Sequence, residues 1–244
     1  MTGTGSPHDL SRAEIASKLA HEIRGPVSTL RGLAGTALGH YDALSDEERR
    51  EFLELIRHEA TRLETTVEQI AIALRLDADA LRMEIGSHDL AGIVRVASGS
   101  VDIGDHELDL DLPETLPARV DPKHAGSIVQ QLVHNAATFS PSGTTIDVRL
   151  MPDRGEAVLS VTDRGPGIPP DRREEVFERF ASWRPVDYET APGPGLGLFI
   201  ARALTHAHGG SISIEDAPEG GTMLAVRFPM EGRGGTGGDD AADL

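Results

Sequence analysis

Asp163-Arg164-Gly165-Pro166-Gly167-Ile168-Pro169-Pro170 follows directly on the strand-like run Ala157–Thr162. An acidic side chain at a strand end can accept a hydrogen bond from an exocyclic amine. Two glycines separated by a single residue let the backbone approach a ligand closely. By itself the D-x-G-x-G pattern is only moderately specific, because many turns share it. Its meaning depends on what stands on either side.

Upstream lies Gln131-Leu132-Val133-His134-Asn135-Ala136-Ala137-Thr138-Phe139-Ser140-Pro141, at the end of an apolar helical run over Pro122–Thr138. Asp121 followed by Pro122 suits an N-cap and first turn. The Asn135 carboxamide can offer its oxygen to a hard cation such as Mg2+. Read alone, it is a polar residue closing a helix before a turn. Downstream, Gly193-Pro194-Gly195-Leu196-Gly197-Leu198 opens a further helical run over Leu196–His208. A glycine-rich turn at a helix N-terminus presents free N–H groups and a positive dipole end to phosphate. No Lys-Ser/Thr follows, so it is not a P-loop. No strand leads into it and the spacing is wrong, so it is not a dinucleotide fingerprint. The polar, proline-bearing stretch Ala181–Pro192 suits a mobile lid over a nucleotide.

Strand-like runs surround these clusters: Glu107–Leu112, Thr145–Met151, Ala157–Thr162, Ser211–Glu215 and Met223–Phe228. In the second, Ile146, Val148 and Leu150 alternate with Asp147 and Arg149, as in a half-buried strand. Helical runs are expected at Asp89–Ser98 and Arg172–Phe180 as well. The pattern predicts an α+β sandwich, a mixed sheet with helices on one face. His206 and His208 lie about 200° apart on a helix and cannot easily share a metal. His208, before Gly209-Gly210, reads as part of a helix end.

The first third of the chain differs. Residues 1–10 read as a loose leader. Ser11 with Glu14 has capping-box spacing, and so does Ser45 with Glu48. Ile15, Leu19, Ile23, Leu30, Leu33 and Ala37 or Leu38 recur at helical spacing. So do Phe52, Leu55, Ile56, Leu63, Val67, Ile70 and Leu74. Gly39-His40-Tyr41-Asp42 interrupts the pattern. These are two long amphipathic helices in a hairpin. A four-helix bundle from two chains is the simplest way to cover their apolar stripes, and an intrachain bundle is the alternative. His21 stands about 200° from both Leu19 and Ile23, so it points away from the apolar side. Glu22 beside it can hold the imidazole tautomer and take up its proton. Pro26 removes a helical hydrogen bond, at about 3 kcal/mol, which suits a useful bend.

Composition narrows the classes. The chain has 244 residues, enough for one large domain or two small ones. Asp and Glu number 40 against 23 Lys and Arg, for a formal charge of -17. A general electrostatic hold on nucleic acid or an anionic membrane does not fit that balance. Aromatics make up 4%, too few for base stacking. The lack of cysteine removes disulfides and thiolate chemistry and fits a reducing, cytoplasmic setting. No apolar run is long enough to span a bilayer. The first ten residues lack the order of a signal peptide.

The order of the motifs carries more than any one of them. An exposed His21-Glu22-Ile23-Arg24-Gly25-Pro26 helix comes first, then the Asn135 helix, then D-x-G-x-G. Glu175-Val176-Phe177-Glu178-Arg179-Phe180 and finally G-x-G-L-G-L follow. This arrangement resembles the sensor histidine kinases of two-component signalling over about residues 11–229. The resemblance implies a HisKA-type dimerisation and phosphotransfer domain at 11–78, a GHKL-type (Bergerat) ATP-binding domain at 79–230, and a disordered tail at 231–244. His21 would be the phospho-acceptor and Glu22 the neighbouring base. Asn135 would coordinate Mg2+. Phe139 would line the adenine pocket, and Asp163 would bond the adenine amine. Gly165 and Gly167 would let the chain pass close to ATP, Gly195 and Gly197 would shape the phosphate end of the lid, and Thr222 would support adenine recognition. The implied partners are a second copy of the chain and the receiver domain of a response regulator. The input would come from a separate sensor partner, or the chain would be a fragment of a longer receptor.

Some positions depart from the family pattern. Gln131 stands where an Asn is frequent, and Thr138 where a Lys or Arg aims at the phosphates. Arg179 or Arg184 is expected to supply that charge. Gly25 stands where a Thr or Asn serves phosphatase action, which implies weak or absent phosphatase action by that route. A MutL-like ATPase needs a Glu at position 131, and Gln131 cannot serve as its base. The alternative outside catalysis is a phosphotransfer or scaffold protein with a degenerate nucleotide site.

Overall fold

The computed structural model describes residues 12–78, 80–181, 183–188 and 193–230. The expected leader, the Ser11 cap, part of the expected lid and the expected tail lie outside the described residues. The chain divides into two compact bodies. One holds Met1–Leu81 with the short segments Glu178–Ser182 and Pro192–Leu196; the other holds Arg82–Phe177, Trp183–Ala191 and Gly197–Leu244.

In the first body, α1 (Arg12–Gly39) and α2 (Asp46–Asp77) form a hairpin. The expected Ser45 box is present. The Ser45 N–H donates to Glu48 Oε2 at 2.8 Å, and the Glu48 N–H returns to Ser45 Oγ. Arg49 ties the preceding turn to the helix: its guanidinium donates to the Tyr41 carbonyl and lies 4.3 Å from that ring's centroid. Along α1, Ile15, Leu19, Ile23, Leu30, Leu33 and Ala37 are all partly shielded, whereas Leu38 is exposed. Pro26 is buried inside the helix and has no N–H to offer the Glu22 carbonyl. On α2 the expected apolar face splits. Phe52, Ile56, Leu63 and Ile70 are shielded, but Leu55, Val67 and Leu74 are exposed. A single neighbouring helix covers only one line of a wide stripe.

The second body is built on a five-stranded sheet in the order β2–β4–β5–β7–β6. Its strands are β2 (Glu107–Asp111), β4 (Thr145–Asp153), β5 (Glu156–Thr162), β6 (Ser211–Asp216) and β7 (Thr222–Pro229). β2 runs parallel to β4, and the other pairs are antiparallel, so the sheet is mixed. A separate ribbon pairs β1 (Gly86–Asp89) with β3 (Pro117–Val120). Neither of these two strands is visible in the alternation of the sequence. The helices are α3 (Leu90–Gly99), α4 (Pro122–Phe139) and α5 (Gly197–Ala207). Ile146, Val148, Leu159, Val161, Leu224, Val226 and Phe228 are buried on the sheet; Leu90, Val94, Ile128, Leu132, Ile200 and Leu204 are buried on the helices. Truncating one such Leu to Ala costs about 2–5 kcal/mol. The class is α+β, as expected.

The helix expected over Arg172–Phe180 is not formed. Two 3-10 turns, Pro170–Arg172 and Glu175–Phe177, stand there instead. Side chains take over part of the bonding a helix would supply: Arg173 donates to the Ile168 carbonyl and Arg202 to the Phe177 carbonyl. Phe180, at φ +59°, lies in the left-handed region, which no helix propagates through.

Asp121 caps α4 as expected, and more converges on it. Its Oδ1 accepts the His124 N–H at 3.0 Å, and its Oδ2 accepts the Glu84 N–H at 2.7 Å. Burial works against the charge, but these N–H groups outweigh it and hold the carboxyl below its ordinary pKa. The Asp121 N–H donates to His208 Nε2 at 3.0 Å, and His208 Nδ1 donates to the Leu204 carbonyl at 2.7 Å. His208 is therefore a buried helix-end residue, while His206 is exposed.

Candidate functional site

The site in the second body forms where the end of α4, the loop after β5 and the start of β7 meet. Gln131, Asn135 and Phe139 follow at four-residue spacing and share one face of α4. Gln131 is buried, and Asn135 and Phe139 are half-buried. Asp163 closes β5 and is only 2% exposed. Its Oδ1 accepts the Gly165 N–H at 2.8 Å and the Thr222 N–H at 3.0 Å. Its own N–H donates to the Thr222 carbonyl, so β5 and β7 hold it from both sides. Burial raises the Asp163 pKa; the Gly165 and Thr222 N–H groups and the Thr222 hydroxyl pull it back only in part.

Glycine is required here for steric reasons. A Cβ on Gly165 would sit 2.4 Å from the Phe139 carbonyl oxygen. One on Gly221, at φ +103°, would sit 2.2 Å from the Asp163 carbonyl oxygen. The Arg164 N–H donates to Ser140 Oγ, which fastens the loop to the end of α4. Asn135, Phe139, Asp163, Gly165, Gly167 and Thr222 thus lie on elements that touch one another. Both added Cβ atoms would strike protein backbone, so these glycines let the loop, the end of α4 and the start of β7 close on one another beside the buried Asp163 carboxylate.

Phe139 has two neighbours from the stretch after the 3-10 turns. The Tyr188 ring stands 5.8 Å from it, and the Arg184 guanidinium stands 6.0 Å from its centroid. Thr138, where a cation was expected to be missing, turns its hydroxyl back to the His134 carbonyl at 2.8 Å. The other candidate cation, Arg179, belongs to the first body and is ion-paired with Asp77. Of the two arginines, Arg184 is the one beside Phe139.

The remaining expected residues stand elsewhere. His21 is exposed on α1 and Glu22 beside it is half-buried, both in the first body. Gly195 also lies there, at φ +70°, against the Ala181 backbone. Gly197 opens α5 in the second body. Sequence reasoning missed Tyr188, Ser140 and Arg173. None left a clear signal: Tyr188 shares its polar, proline-bearing stretch with Trp183, and Ser140 and Arg173 look like ordinary turn and surface residues.

Residues 11–78 match the His Kinase A (phospho-acceptor) domain family. Residues 120–232 match the histidine kinase-, DNA gyrase B- and HSP90-like ATPase family. A mycobacterial sensor histidine kinase structure, MprB, is 32% identical, with a TM-score of 0.53 over 60% of this chain and 98% of that one. The chain belongs to the sensor histidine kinase family.

Sensor histidine kinase TmoS of Ectopseudomonas mendocina is 32% identical over 91% of this chain and 23% of TmoS. The structure of full-length ShkA in complex with AMPPNP is 25% identical, with a TM-score of 0.58 over 88% of this chain and 46% of ShkA. This histidine kinase chain spans less than half the length of the curated relatives it matches. Among its described residues, no helix is long and apolar enough to cross a membrane. No group of three or more metal-ligating side chains stands together among them either.

Proposed function

We propose that this chain carries out ATP-dependent autophosphorylation of His21 and passes the phosphoryl group to an aspartate of a response regulator's receiver domain. The buried Asp163 carboxylate, held through one oxygen by the Gly165 and Thr222 N–H groups, is the observation that carries the reading. Residues 79–230 form the ATP-binding domain and 11–78 the dimerisation and phosphotransfer domain, which acts as a homodimer in the cytoplasm.

Each residue has a distinct task. Asp163 accepts the exocyclic amine of adenine, which a guanine cannot offer at that position. Thr222 steadies the carboxylate, and Phe139 covers the ring. Gly165 and Gly167 allow the close approach, and Gly195 and Gly197 shape the phosphate end. Asn135 would hold Mg2+, which would neutralise charge on the phosphates. Arg184 adds the cation that Thr138 does not supply. The His21 imidazole attacks the γ-phosphorus in line. The N–P bond forms, the bond from the γ-phosphorus to the bridging oxygen breaks, and ADP leaves with that electron pair. Glu22 takes the imidazole proton.

Incubation with γ-labelled ATP and Mg2+ tests this. Wild type should acquire an acid-labile, alkali-stable label. His21→Gln and Asn135→Ala should acquire none, and Arg184→Ala should label more slowly. Label that survives His21→Gln overturns the assignment of the phospho-acceptor. Neither label nor nucleotide binding in the wild type favours the phosphotransfer or scaffold reading.

A further inference from the structure

Arg173 lies outside the motifs that identify the site, yet it bonds to the loop that carries them. Its Nε donates to the Ile168 carbonyl at 3.1 Å, one residue beyond Gly167. Its Nη1 donates to the Ile214 carbonyl at 3.4 Å, and its Nη2 pairs with Asp216. Ile214 and Asp216 belong to β6, the edge strand of the sheet. One planar guanidinium therefore joins the outlet of the Asp163–Ile168 loop to a fixed edge of the sheet. A lysine ammonium has neither the reach nor the fork to meet three acceptors on two elements.

The loop's other anchors sit at its start. Asp163 bonds the Gly165 N–H, Ser140 holds the Arg164 N–H, and the Arg164 guanidinium pairs with Asp147 and Glu219. From Gly167 to the turn at Pro170–Arg172 the backbone forms no regular element. The Gly167 turn then lies between the Asp163 and Arg164 anchors on one side and Arg173 on the other. Gly167 turns the chain at φ +80°, a conformation that favours glycine, beside the Gly221 carbonyl oxygen. A small drift of the loop would shift the face offered to the ring.

We infer that Arg173 is a positioning residue for the adenine end of the nucleotide, acting through the Ile168 carbonyl. This rests on the ATP-binding reading of the Asp163 site. The three Arg173 bonds described go to Ile168, Ile214 and Asp216, so its loss weakens adenosine, ADP and ATP binding alike. It leaves the chemical step at His21 intact.

The test compares wild type, Arg173→Gln, Arg173→Lys and Asp216→Asn on the full chain. Dissociation constants for adenosine and ATP are measured beside the autophosphorylation rate at saturating ATP. The expected result for Arg173→Gln is a rise of about five- to tenfold in both constants, with the saturated rate within about twofold of wild type. Arg173→Lys should recover only part of the affinity. Asp216→Asn should shift both constants in the same direction by less. A purely structural ion pair would lower the melting temperature but leave both constants unchanged below it, and that outcome overturns the inference. Loss of ATP binding with adenosine binding retained overturns it too, because Arg173 would then act on the phosphates. If Arg173→Gln does not fold, Asp216→Asn decides: unchanged adenosine affinity there overturns the inference. A wild type that binds neither ligand overturns the ATP-binding reading with it, whereas equal binding by wild type and variants defeats the Arg173 inference alone.

Discussion

His208 can accept the Asp121 N–H at Nε2 only while its imidazole is neutral, since Nδ1 already donates to the Leu204 carbonyl. A proton on Nε2 would point two donors at each other. Burial pushes the His208 pKa below its ordinary value. The linkage sign follows: stability from this residue is fully present above the unfolded pKa, about 6.5, and is lost as pH falls below it. The Asp121 carboxylate and the His124 imidazole both lie near the ring. Melting temperature should therefore fall more steeply between about pH 7 and pH 5 in wild type than in His208→Gln. Parallel pH profiles for the two proteins would refute this. At this scale the sequence was readable where the chemistry is local. Asp163 and Asn135 are legible through the order of the motifs around them, since a D-x-G-x-G turn and a carboxamide closing a helix are each common alone. Arg173 and Tyr188 are not, because their partners lie 41 and 49 positions away, in Ile214 and Phe139. An arginine that bonds distant carbonyls looks like any surface arginine in a sequence.

Among the elements, α1 is the one with a weak backbone. Gly25, Gly32 and Gly35 lie in its interior, and no described residue lies within 4 Å of where a Cβ would stand on any of them. Each glycine costs a helix interior about 0.5–1 kcal/mol relative to alanine, and no close packing among the described residues offsets that cost. Gly32→Ala should thus raise stability by about 0.5–1 kcal/mol, measured by urea denaturation. A loss of stability would mean that the face is already closely covered in solution. The β4 and β5 strands were legible because strict alternation reports one buried face, and α2 because its cap and stripe agree. β1 and β3 were not, because four-residue strands carry too few alternations to stand out. The stretch after Pro170 was misread as helix for a related reason. Its charged and apolar spacing is helical, but arginine side chains and a left-handed Phe180 satisfy it as turns.

For the molecule as a whole, α2 leaves an apolar row open. Leu53 is 66% exposed and Leu74 is 53% exposed, with Val67 between them at heptad spacing. Covering a leucine side chain fully contributes about 1.5–3 kcal/mol, so such a row is costly in a lone chain. Leu53→Glu with Leu74→Glu should convert the proposed homodimer to monomer in sedimentation equilibrium and leave adenosine binding by the sheet domain unaltered. A double variant that stays dimeric would place the interface elsewhere. The Asp121 carboxylate has a kinetic counterpart. One side chain holds both the Glu84 amide and the first turn of α4, so the segment entering the sheet domain cannot detach while that helix start stays intact. The protons on the Glu84 and His124 amides should then trade with deuterated solvent at a common rate. Strain on the entering segment would be felt first at the foot of the helix whose far end carries Asn135.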